Sequence, residues 1–124
     1  MQKEMIEGNP ILKLSFDFSL QVVEYFKLLD LDKKYIISKQ LLKAGTSISA
    51  NAFEAQNAES KADFIHKIET AAKEAGETQY WLALCDHGSN YRDCKSLLLK
   101  LEEIQKVLNK ILGTAKRKSR LAAC

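Results

Sequence analysis

Between Phe64 and Cys85 the chain places a small or apolar residue at alternating steps of four and three: Phe64, Ile68, Ala71, Ala75, Thr78, Leu82 and Cys85. That spacing holds one seam of a helix against its neighbours and is the pattern of a bundle helix crossing them at a shallow angle. A helix of about 25 residues would run about 38 Å at 1.5 Å per residue. Ser60, with Asp63 three residues on, forms a variant of the capping box that marks its start. Gly88, Ser89 and Asn90 mark its end.

A chain built around one such seam needs other amphipathic helices to cover it, and three more can be read. Asn9 and Pro10 open the first, since Asn caps well and Pro loses nothing in a first turn. Ile11, Leu14, Phe18, Val22, Tyr25 and Leu29 form its stripe, and residues 28–34 read as its end and a turn. Phe16, Leu20 and Phe26 lie off that stripe, so a second face is expected to be buried or to meet another subunit. The next helix covers about Tyr35 to Ala55 around Ile37, Leu41, Ala44, Ile48 and Ala52, and Gln56–Glu59 connects it to the seam helix. The last starts near Tyr91 and carries Cys94, Leu97, Leu101, Ile104, Leu108 and Ile111, with Gly113 as a natural stop. No strand pattern competes. The expectation is an all-α, antiparallel up-down-up-down four-helix bundle.

Residues 1–115 are read as one domain and residues 116–124 as a basic, flexible C-terminal tail. No apolar run reaches the ~18 residues of a membrane span, and the N-terminus lacks the apolar stretch of a signal peptide, so a cytoplasmic protein is expected. Gly45 and Gly76 sit in facing helices. A helical glycine costs about 1 kcal/mol relative to alanine, which is reasonable where backbones must approach closely.

Chemistry is sparse. Ser47, Asn51 and Glu54 lie beside the apolar stripe of their helix and read as a buried polar network that fixes helix register; a ligand or catalytic site is the alternative. No candidate nucleophile or base beyond serine hydroxyls accompanies the carboxylate and amide, so no enzymatic activity is expected. His66 and His87 lack catalytic partners. Cys85, His87 and Cys94 match no standard zinc spacing and have no fourth ligand. The three cysteines, an odd number, read as reduced thiols. No metal, cofactor or small-molecule substrate is called for.

Charge is uneven. The net charge is +3, yet residues 1–90 hold ten Lys/Arg against thirteen Asp/Glu, a balance of −3, and residues 91–124 hold nine against three, a balance of +6. Lys106, Lys110, Lys116, Arg117, Lys118 and Arg120 concentrate that surplus, and with Lys43 they are the candidate nucleic-acid contacts. Exposed aromatics in a basic context are missing, so any binding is expected to follow the phosphate backbone rather than base stacking.

The run Gln-Leu-Leu-Lys-Ala-Gly-Thr-Ser-Ile-Ser-Ala-Asn at residues 40–51, followed by Glu54, Ser60 and Phe64, resembles the 23S rRNA intervening-sequence protein family. The family pattern has Gln, Leu, Ala, Ser, Ile, Asn, Glu, Ser and Phe where this chain has Gln40, Leu41, Ala44, Ser47, Ile48, Asn51, Glu54, Ser60 and Phe64. Two departures stand out. The family's arginine is Lys43 here, a point charge in place of a planar fork. The large residue that follows the Asn in the family has moved to Phe53, roughly 100° around the helix.

The resemblance implies a small bacterial four-helix bundle without established enzymatic activity that assembles as a ring of five. A similar fold serves as the accessory protein of diversity-generating retroelements, where a basic pentamer works with a reverse transcriptase and nucleic acid. It implies a homo-oligomeric scaffold or adaptor contacting RNA or DNA through its basic C-terminal segment. The alternative is a module that binds a protein partner and has no nucleic-acid role.

Overall fold

The computed structural model describes residues 3–123 as helices and short connections: α1 (Lys3–Glu7), α2 (Pro10–Leu31), α3 (Tyr35–Ala55), α4 (Lys61–His87) and α5 (Lys95–Ala123). The four long helices pack in chain order, α5 closes back onto α2, and the backbones of the diagonal pairs stay further apart. Named contacts fix the directions. Asn9 at the start of α2 meets Gln56 at the end of α3. Asp32, after α2, meets Arg92, before α5, and Gln79 and Glu69 of α4 meet Gln105 and Lys116 of α5. Each neighbour therefore runs antiparallel to the last, as short connections between amphipathic helices predict.

Local chemistry sets the boundaries. The Asn9 side chain accepts from the Ile11 N–H, and Pro10 occupies the first turn of α2. The helix ends in a Schellman motif, with Lys34 N–H donating to Leu29 O and Lys33 N–H to Asp30 O. The left-handed position of that motif, usually glycine, is filled by Lys33 at φ 64°. The Ser60 hydroxyl accepts from Asp63 N–H. Asp63 Oδ2 returns the favour one residue early, accepting from Glu59 N–H rather than from Ser60.

The core follows the stripes. In α4 the buried residues are Ile68, Ala71, Ala75, Thr78, Leu82 and Cys85, six of the seven seam positions, with Phe64 half-buried. α2 contributes Ile11, Leu12, Phe18, Val22, Tyr25 and Leu29, and α3 contributes Leu41, Ala44, Ile48, Ala52 and Phe53. Leu97, Leu101, Ile104 and Leu108 complete it from α5. Gly45 lies against α2: a Cβ there would stand 2.9 Å from Val22 Cγ1. Gly76 has open space around its would-be Cβ, so close approach explains Gly45 and not Gly76.

Two expectations change, and one is decided between its alternatives. The last helix begins at Lys95, because Tyr91–Cys94 form an irregular segment stitched to the bundle by Arg92, and the Asp93 carboxylate turns back to accept from Lys95 N–H. Gly113 does not stop α5. The helix continues to Ala123 because Thr114, Ala115 and Lys116 still have α4 beside them, so residues 116–123 are helix. For Phe16 the first of the two expected alternatives holds: it packs within the subunit, edge-on against Phe53, ring centroids 6.5 Å apart. Of the same off-stripe residues Leu20 is exposed at mid-helix, and Leu28 and Leu31 are exposed towards the end of α2, with Tyr35 and Ile36 following the turn.

Candidate nucleic-acid interface

The polar triplet of α3 does not form a buried network. Ser47 Oγ donates to Lys43 O at 2.7 Å, and Asn51 Nδ2 donates to Ser47 O at 2.9 Å. Both bonds close within one helix, both side chains are half-buried, and Glu54 is exposed. The outward tilt has a simple cause: these positions lie on one flank of the stripe formed by Leu41, Ala44 and Ile48, which face the core, and no neighbouring helix of the bundle covers that flank fully. The buried polar contact between helices is Ser19 with Ser49, hydroxyl to hydroxyl at 2.7 Å. Ser19 and Ser49 both lie at buried positions of their helices.

The second polar cluster surrounds Tyr25. Its hydroxyl donates to Arg92 O at 2.7 Å, and Cys94 Sγ reaches Leu82 O at 3.4 Å. Burial raises the Tyr25 phenol, and the neighbouring Cys85 and Cys94 push in the same direction. Burial also lifts both thiols, that of Cys94 to about 11. Cys85 and Cys94 are free and buried, while His87 is exposed. Protonated thiols are poor nucleophiles and poor metal ligands. Cys124 lies outside the described residues.

The basic residues are ordered by the unbroken run of α5. Lys106, Lys110, Arg117 and Arg120 are exposed and recur at helical spacing on one face, with Gly113 between them. At 1.5 Å per residue they span about 21 Å. Glu102 takes part of the Lys106 charge at 3.6 Å. Lys110, Arg117 and Arg120 have no carboxylate within ion-pair distance among the described residues. Two candidates leave the face. Lys116 is drawn to Glu69 of α4 at 2.9 Å, and Lys118 turns to a groove between α4 and α5. Lys43 is exposed on α3, the helix diagonal to α5, and its charge acts on Glu74 instead. That carboxyl is nevertheless raised, by burial first and then by Glu77 beside it.

The sequence profile of the 23S rRNA-intervening sequence protein family matches residues 7–110. This chain belongs to that family. Among solved structures, a protein of unknown function from the S23 ribosomal protein family of Bacteroides thetaiotaomicron is similar to it, with 40% identity and a TM-score of 0.78. The alignment covers 82% of this chain and 97% of that one. No curated protein matches significantly. Within this member of the 23S rRNA-intervening sequence protein family, the profile spans α2 to α4 and the first part of α5. The turns carrying Arg117 and Arg120 follow it. No helix among the described residues is long and apolar enough to cross a membrane.

Proposed function

We propose that this chain is a non-enzymatic, cytoplasmic, homo-oligomeric scaffold or adaptor, five subunits being the expected number, that contacts RNA or DNA through α5. The observation that carries the reading is the alignment of Lys106, Lys110, Arg117 and Arg120 on one exposed face of a continuous helix. Fixed cations about 21 Å from first to last suit the evenly charged backbone of a duplex, and they lose less freedom on binding than a disordered tail would. One such face binds weakly. Several joined in a ring raise the effective concentration of each and bind with avidity. In α3, Ser47 and Asn51 bond within their own helix and Glu54 stands in solvent, so these three side chains do not converge on one point.

Backbone contacts release counterions, so log affinity should fall linearly with log salt, with a slope near −0.9 per phosphate neutralised on duplex DNA. Titrating duplex RNA and duplex DNA from about 50 to about 200 mM salt tests this. The variant K110Q/R117Q/R120Q, which leaves every ion pair named above in place, should flatten the slope. Absence of binding at the lowest salt, or an unchanged slope in the variant, would remove the nucleic-acid reading. Light scattering coupled to gel filtration tests the assembly: a monomer of 14.0 kDa at micromolar concentration would contradict it.

A second reading has its own observation. Leu31, Tyr35 and Ile36 are 72%, 51% and 80% exposed around the turn between α2 and α3, an apolar cluster suited to a protein partner. A partner held there would tolerate high salt, which separates the two readings.

A further inference from the structure

Beside the basic face, α4 and α5 enclose a groove of about 420 Å³ where the start of one helix meets the end of the other. Its floor is apolar: Phe64 and Ile65 from α4, Ile111 and Ala115 from α5. All four are half-buried, so the bundle leaves their outer faces uncovered. Its rim carries Lys61, Lys110 and Lys118, and no acidic residue lines it. None of these three ammonium groups has a carboxylate within ion-pair distance among the described residues. The neighbouring Glu69 is already engaged by Lys116 at 2.9 Å. The α5 wall from Ile111 to Lys118 follows the segment matched by the family profile, which ends at residue 110.

We propose that this groove binds a small amphipathic carboxylate, its acyl chain along Phe64, Ile65, Ile111 and Ala115 and its head among the three rim lysines. Charge complementarity selects the occupant. An apolar floor alone would accept any apolar group, but three unpaired cations at its edge favour one that ends in an anion and disfavour a cation. The volume lies in the lower part of the range for small-ligand sites, which suits a chain of about eight to twelve carbons. Lysine stems extend the apolar walls while their ammonium groups stay in water, so the head group need not be fully desolvated. The wall exists because α5 continues past Gly113; a helix ending there would leave no groove.

Calorimetric titration of the intact protein with octanoate, decanoate and dodecanoate, below their micellar concentrations, tests the proposal. Decan-1-ol and decyltrimethylammonium serve as neutral and cationic controls. Each methylene entering the groove contributes up to about 0.8 kcal/mol, so affinity should rise by about two- to fourfold per carbon. Decanoate should bind more tightly than decanol, and the cation should not bind. Lys61 and Ala115 lie off the basic face of α5, so K61Q and Ala115→Trp isolate this site from the nucleic-acid reading. K61Q should weaken decanoate about two- to fivefold. Ala115→Trp should fill the groove and abolish binding while circular dichroism stays unchanged. Equal binding of decanol, no dependence on chain length, or no binding of decanoate at about 1 mM would overturn the proposal. So would loss of oligomerisation in Ala115→Trp together with no decanoate binding by the wild type, which would make the groove a contact between copies.

Discussion

Arg92 lays its guanidinium against the Asp32 carboxylate as a two-point fork, Nε to Oδ2 at 2.8 Å and Nη2 to Oδ1 at 3.0 Å, across sixty residues of chain. The same residue's carbonyl accepts the Tyr25 hydroxyl. Arg92 thus holds the irregular Tyr91–Cys94 segment to α2 from two sides. Lys34 adds a third tie, its ammonium 4.8 Å from the Tyr91 ring centre. The hydrogen bonds from Arg92 hold the Asp32 carboxyl below its usual range. A carboxyl more acidic when folded contributes stability that is present above its unfolded value and lost as pH falls through its folded value. Asp32→Asn should therefore be less stable than wild type at neutral pH, with the gap closing in acid. Urea midpoints measured from pH 7 down to pH 3 would check it, and a gap independent of pH would show that the fork lacks its charge.

Gly45 and Gly76 should respond oppositely to the same change. Alanine gains about 1 kcal/mol of helix propensity over glycine. At Gly76 nothing lies within 4 Å of the new methyl, so Gly76→Ala should stabilise by about 0.5–1 kcal/mol. At Gly45 the methyl would meet Val22 Cγ1 at 2.9 Å and Cγ2 at 3.0 Å. Overpacking of that kind costs about 1–3 kcal/mol, which outweighs the gain. Val22→Ala should rescue Gly45→Ala in part, a coupling that chemical denaturation of the four proteins would measure.

The buried thiols predict an alkaline limb. Burial raises the Cys94 thiol from its ordinary 9.0 to about 11. A group whose folded pKa is raised contributes stability that is complete below its unfolded value and disappears as pH rises through the folded one. Stability should therefore fall between pH 9.0 and about 11. Cys94→Ala should be less stable at pH 8 but lose less across that window. Thiol titration with a disulfide reagent at pH 8 should find Cys85 and Cys94 slow until denaturant is added.

Ser49 and Asn51, two residues apart, should rank in the reverse of their apparent polarity. Ser49→Ala removes the hydroxyl paired with the buried Ser19. Leaving a buried polar group unmatched costs about 1–3 kcal/mol. Asn51→Ala removes a bond within one half-exposed helix face and should change subunit stability by no more than about 0.5 kcal/mol. If α3 meets another subunit at this face, the Asn51→Ala effect should appear as a shift in the concentration dependence of unfolding.

Most of the bundle was legible because burial and helical period leave the same mark. The 4-3 spacing from Phe64 to Cys85 named every buried residue of α4, and Tyr35 to Ala55 are the observed ends of α3. What was not legible depended on contacts between distant segments. Gly113 reads locally as a stop, and only α4 alongside Thr114, Ala115 and Lys116 carries the helix past it. Tyr91–Cys94 read as helix because Cys94 continues the apolar spacing. The fork from Arg92 to Asp32 and the cap from Asp93 decide otherwise. Ser47, Asn51 and Glu54 occupy one flank of their helix in any projection, and the sequence does not say which flank the neighbours cover. Lys61 was missed as part of the site because its groove needs α5 opposite it. The short α1 was missed too, since only Ile6 of its five residues packs against the core.

Four antiparallel helices make an object with a direction. An even count returns the chain to its starting end, so the turn at Leu31–Ile36 and the Arg92 latch share one pole, and the last turns of α5 share the other with the start of α2. The poles lie about 40 Å apart along α4, and their chemistry differs: a greasy knob at one, a cationic ridge and its groove at the other. Whatever grips the knob points the ridge away from itself, as a handle points a blade. Copies docked side by side with their knobs aligned would gather their ridges on a single face, and copies packed head to tail would scatter them.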